Sequence, residues 1–258
     1  MELMKIENSR YSEYEDLLLE RDQLEKEANS IWIAYVQEFG QLITEIFEEK
    51  IECIKRKKTI SFYQKAKNQG NDLNTAELQI YLKREMAAYE AHLDRMLLEN
   101  EAAGRAEISS PYEVHRSKAL YRRFAKLLHP DTHPQVYQNE TLMELWQRTV
   151  EAYGRNDVRA LTEIEVLARR ALKEAPNEEI VLPDLDRRIE AVKTDIQNII
   201  TTEPYTYQEL LDDEEKTANF LQELKEELES YQRYRARLDA MIEDLFQEGG
   251  LRILWGTN

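Results

Sequence analysis

The chain has 258 residues and carries 35 Lys+Arg against 51 Asp+Glu, a formal net charge of -16. With 7 Gly and 6 Pro it holds few turn formers, and every proline lies at or after Pro111, so a turn-rich sandwich or barrel is excluded in favour of long helices. The acidic balance argues against a general nucleic-acid binder or an anionic-membrane binder. Cys53 is the only cysteine, which rules out an intramolecular disulfide and a multi-cysteine zinc site. No apolar signal region opens the sequence, and no run approaches the ~18 apolar residues of a membrane span. An all-α, cytoplasmic protein is the expectation.

The first predicted helix covers residues 10–69. Tyr14, Leu17, Leu24, Ala28, Trp32, Tyr35, Phe39, Leu42 and Ile46 recur at helical spacing, with charged residues on the other faces. As one helix of ~60 residues it would be roughly 90 Å long. Gly40 would cost some stability without breaking it. Cys53 reads as a packed or half-exposed helix residue, and Lys55, Arg56, Lys57 and Lys58 as a solvated basic face. The first strong break is at residues 68–72. Asn74 and Glu77 then form a capping box that opens a second helix reaching about Ala103.

Ser110, Pro111 and Glu113 give a sharper start signal, a capping box with proline at the first helical position. This third helix should run to Leu128, where His129-Pro130-Asp131-Thr132-His133-Pro134 cannot continue it. A fourth helix is expected over 136–153, stopped at Gly154. Asn156 or Asp157 caps a fifth that reaches about Glu174. The C-terminal third reads as a helical hairpin. Leu185, Ile189, Val192, Ile196 and Ile199 form one stripe, residues 201–206 the turn, and Thr206 with Glu209 a capping box. Leu210, Glu214, Thr217, Leu221, Leu224, Leu228, Tyr231, Arg235, Leu238, Ile242 and Leu245 then alternate at spacings of four and three, a heptad seam. Glu214, Thr217 and Arg235 weaken that seam and would set its register. Turn signals at 68–72 and 200–206 favour pairing of adjacent helices within the chain. The apolar tail at 251–255 should dock back on a helix.

Residues 111–133 stand apart from this acidic background. Arg116, Lys118, Arg122, Arg123 and Lys126 against Glu113 and Asp131 leave a local balance of +3. Lys118, Arg122 and Lys126 are four apart and form a basic stripe on one helix face, while Leu120, Phe124, Leu127 and Leu128 form the other. His115, His129 and His133 lie close in sequence, but a Pro-interrupted loop without cysteine does not supply metal-ligand spacing. His115 and His133 read as surface residues, and His92 as a packing or surface residue.

The run from Tyr121 through Arg-Arg-Phe-Ala-Lys-Leu-Leu-His-Pro to Asp131, followed by Leu145-Trp-Gln-Arg-Thr-Val-Glu-Ala-Tyr153, resembles a J-domain. That family has a basic helix ending in His-Pro-Asp, a loop, and an antiparallel helix ending in Ala-Tyr. The resemblance covers about residues 108–174. It implies a co-chaperone, not an enzyme, that docks on the ATPase of a DnaK-type chaperone through Tyr121, Arg122, Arg123, Lys126, Lys118 and the loop residues His129, Pro130 and Asp131. Arg and Lys would steer the encounter with an acidic surface, and Asp131 would accept a charge-assisted hydrogen bond from a partner arginine. The chain departs from the pattern in several places, among them a loop before the next helix a few residues longer than common and the lack of a Gly/Phe-rich linker and a zinc-binding cysteine module. No short opening helix precedes the basic one, a place the helix at 74–103 would fill. Thr132 stands where a basic residue is usual, and Thr149 where an apolar one is.

Three blocks follow: a helical arm at 1–105, the J-like domain at 106–176, and a coiled-coil hairpin at 177–258. The arms would bind a client or partner protein, with a homodimer through them left open. No cofactor, metal, nucleic acid or membrane is implied. The alternative is a structural adaptor in which the arms act and the J-like segment is a degenerate spacer.

Overall fold

A computed structural model describes residues 2–69, 74–106, 109–174 and 184–249. The protein is all-α, with no strand among the described residues. In chain order the helices are α1 (Glu2–Tyr35), a π turn (Val36–Gly40), α2 (Gln41–Asn68), α3 (Thr75–Gly104), α4 (Pro111–Leu128), α5 (Gln135–Gln138), α6 (Glu140–Gly154), α7 (Val158–Glu174), α8 (Leu185–Thr201), a 3-10 turn (Tyr205–Tyr207), α9 (Gln208–Leu211) and α10 (Glu214–Gly249). No described helix is long and apolar enough to cross a membrane. Gly70, Asn71 and Asp72 of the first break, and the tail at 251–255, lie outside the described residues.

Local chemistry sets most helix starts where the sequence puts them. The Ser110 hydroxyl accepts from the Glu113 N–H while the Glu113 carboxylate accepts from the Ser110 N–H, a complete capping box. Asn74 accepts from the N–H groups of Ala76 and Glu77, and Asp157 from that of Ala160. Two boundaries differ from expectation. The helix predicted over 136–153 is split at Asn139, whose extended backbone ends α5 and whose side chain caps α6 through the Leu142 N–H. The last helix starts at Glu214, not Thr206, because Asp213 caps it through the N–H groups of Glu215 and Lys216. The first segment stays helical from 2 to 68, with the five-residue π turn inserted at Val36–Gly40.

The chain divides into two units, Met1–Ile31 with Glu107–Thr206, and Trp32–Ala106 with Tyr207–Asn258. Each is assembled from segments distant in sequence, in contrast to the three consecutive blocks at 1–105, 106–176 and 177–258 that local signals suggest. In the second unit α10 packs along α2, and α3 along α2. The heptad residues Leu238 and Ile242 are buried against Cys53, Ile60 and Tyr63 of α2, and Leu224 against Phe39 of the π turn and Ile46 of α2. Arg235 crosses from α10 to Glu49 at 2.9 Å. Arg56 is also buried rather than solvated, donating to Asp239 at 2.6 Å. The expected pairing of adjacent helices therefore holds for α2 and α3. It fails for the C-terminal hairpin, because α10 matches the apolar face of α2 while α8 packs on α1, Ile189, Val192 and Ile196 meeting Tyr14 and Leu18.

Candidate functional site

The site lies in the first unit. Its core is α4, α6 and α7 around Leu120, Tyr121, Phe124, Leu128, Leu142, Trp146, Tyr153, Leu161 and Ile164. The contacts between α4 and α6 run in opposite chain directions: Ser117 bonds Asn156, Tyr121 stacks on Tyr153 with ring centroids 4.0 Å apart, and the His129 ring meets Trp146 at 4.7 Å. The pair is thus antiparallel. Thr149 is fully buried but donates to the Leu145 carbonyl at 2.7 Å, so its hydroxyl is satisfied.

The sequence-predicted residues fall into two groups. Arg122, Arg123 and Lys126 are exposed on α4 and Lys118 is half-buried. Arg123 pairs with Glu165 of α7 at 2.9 Å. The other group is enclosed: Tyr121, His129 and Pro130 are buried and Asp131 is half-buried. The His129 Nδ1 accepts from the Asp131 N–H at 3.1 Å, which fixes the turn and leaves Nε2 facing outward from it. The Thr132 hydroxyl donates to the His129 carbonyl at 3.1 Å. Thr132 is therefore a buried turn residue.

The element that encloses this turn is α1, which takes the place expected of the helix at 74–103. Asp22 is its central contact. The Tyr121 hydroxyl donates to Asp22 Oδ2 at 2.5 Å, and the His129 Nε2 lies 3.4 Å from the same oxygen. Arg21 bonds Asp22 at 2.8 Å and its guanidinium lies 3.6 Å from the Asp131 carboxylate. Tyr11 donates to the Thr132 carbonyl at 3.0 Å, Tyr153 donates to Gln23, and Leu19 enters the core. Burial alone would raise the Asp22 pKa, but the bonds from His129 and Tyr121 and the charge of Arg21 outweigh it and hold the carboxyl below its usual range. Burial, and then the Asp22 charge, keep the Tyr121 phenol protonated far above its usual value.

Beside the turn, Lys118, Arg122 and Lys126 form one wall of an open groove of about 390 Å³, and Asp16, Glu20 and Glu27 of α1 form the facing wall. Lys26 lies 3.7 Å over the Tyr153 ring. Burial, then repulsion from Lys118, lowers its pKa to about 8. His115 is exposed, whereas His133 is half-buried against Thr132 and burial lowers its pKa. Among the described residues no cluster of His, Cys, Asp and Glu is arranged to hold a metal.

Arg21 and Asp22 carry no signal as site residues in the sequence, where charged positions of an acidic helix read as a solvated face. Leu18 and Leu19, also missing from the helical stripe, are the clue. With Leu17 they widen the apolar arc, and Leu18 packs toward α8 while Leu19 packs toward α4.

Comparison with protein-family models, with curated proteins and with solved structures gave no match.

Proposed function

We propose that this is a J-domain-type co-chaperone, acting in the cytoplasm on the ATPase of a DnaK-type chaperone, with its remaining helices engaging a client or partner protein. The observation that carries the reading is the combination at one end of α4. An exposed basic stripe of Arg122 and Lys126 leads into a His-Pro-Asp turn, on an antiparallel helix pair locked by the stacked Tyr121 and Tyr153 rings. The stripe suits electrostatic steering toward an acidic surface, and Asp131 suits a charge-assisted bond to a cation presented from outside. None of these residues is assigned chemistry on a substrate.

The test is steady-state ATP hydrolysis by a DnaK-type chaperone with and without the full chain, beside Asp131→Asn. Stimulation by the wild type that falls at least tenfold in Asp131→Asn is expected. Stimulation untouched by the substitution would show that the motif is not responsible, and none by the wild type or any variant below would remove the reading. The burial of His129 and Pro130 supports a second reading, an adaptor in which the turn only ties helices together.

A further inference from the structure

We infer that α1 is an intramolecular competitor for the chaperone-binding face: a built-in helix that covers the His-Pro-Asp turn and must withdraw before a chaperone can engage it. The inference rests on the co-chaperone reading and adds its regulation.

Three observations carry it. First, the enclosed residues are those needed outside. His129 is 5% exposed, Pro130 is buried, and Asp131 already faces an arginine, Arg21, at 3.6 Å. A partner cation approaching Asp131 meets a position that this chain fills itself. Second, the charges of α1 complement the basic stripe as an acidic partner would, with Asp16, Glu20 and Glu27 opposite Lys118, Arg122 and Lys126 across an open groove.

Third, α1 is held on its two sides by different forces. Toward α8 the contact is apolar, Tyr14 and Leu18 against Ile189, Val192 and Ile196, and is reinforced by Arg10–Asp186 at 2.7 Å and Lys193–Glu13 at 3.1 Å. Toward the motif the contact mixes polar bonds through Tyr11, Arg21, Asp22 and Gln23 with a small apolar part, Leu18 and Leu19 beside Ala125 and the turn residues His129 and Thr132. Polar contacts exchange for water or for a partner's groups at small net cost, whereas an apolar face does not. The α1–α8 pair can therefore leave the motif as a unit, and a chaperone offering the same charges would displace it by mass action.

Arg21→Glu in the full chain is the test, because it sets a third negative charge beside Asp22 and Asp131 without altering the motif. Tyr11→Phe, which removes one hydroxyl, is the milder companion. Two readouts are needed: ATPase stimulation at equal concentration, and amide hydrogen exchange of residues 11–25 and 129–133. The expected result is stimulation several-fold above wild type in Arg21→Glu, a smaller gain in Tyr11→Phe, and faster exchange in both segments. Wild-type stimulation that neither variant exceeds, although exchange of both segments is faster, would overturn the inference and leave the co-chaperone reading standing. Faster exchange in the variants with no stimulation by any form would remove the co-chaperone reading, and the competition with it.

Discussion

Asp22 accepts from the Tyr121 hydroxyl at 2.5 Å and faces the His129 Nε2 at 3.4 Å, with Arg21 on its other oxygen. Replacing it with asparagine keeps the shape but weakens three charge-assisted contacts, a loss of about 1–3 kcal/mol at neutral pH. The pH dependence has a definite sign. The folded carboxyl binds its proton at lower pH than the usual 3.8, so its stabilisation is fully present above that value and drains as the pH falls below it. Urea titrations of wild type and Asp22→Asn from pH 7 to pH 3 should show a stability gap that narrows below 3.8. A gap that stays constant to pH 3 would mean that the Asp22 charge is not what the contacts use.

At the scale of elements, the π turn at Val36–Gly40 marks where side-chain packing overrides helical regularity. The Asn100 side chain of α3 donates to the Gly40 carbonyl at 3.1 Å and to the Thr44 hydroxyl at 2.8 Å. A Cβ at residue 40 would run into the Asn100 carboxamide and the Val36 side chain. The glycine is thus required by close approach, its backbone being ordinary right-handed helix. Gly40→Ala should destabilise the second unit by about 1–3 kcal/mol, despite the better helix propensity of alanine. In a denaturation-based double-mutant cycle Asn100→Ala should recover part of that loss, and strict additivity would exclude the clash. The seam of α10 makes a related point. Its heptad rhythm states that a partner helix exists, but α2 is selected by side chains that meet only in the fold: Arg235 with Glu49, Arg56 with Asp239, and Cys53 packed beneath Tyr231.

Across the whole molecule, the buried clusters belong to separate units. Leu128 lies in the cluster of α4, α6 and α7, and Leu238 in the cluster of α2 and α10. Each leucine-to-alanine change should cost its own unit about 2–5 kcal/mol. Together their costs should sum to within about 0.5 kcal/mol, since the two share no packing neighbour in these clusters. Chemical denaturation followed by far-ultraviolet circular dichroism of both single variants and the double variant measures this. A coupling above about 1 kcal/mol would mean that the two leucines are linked through shared packing.

The sequence by itself determined most of the helices, the caps at Ser110 and Asn74, a cap at Asn156 or Asp157, the basic stripe on α4 and the end of that helix at His129-Pro130-Asp131. These follow from periodicity, capping chemistry and the geometry of proline, which act within a few residues and are written locally. Only the tertiary structure decided which helices meet. Heptad and amphipathic patterns specify an apolar face but not its partner, so the C-terminal hairpin suggested by nearness in sequence gives way to α8 on α1 and α10 on α2. The same limit hid Arg21 and Asp22. Charged residues on a helix look solvated until a second element buries them, and here that element is the His-Pro-Asp turn.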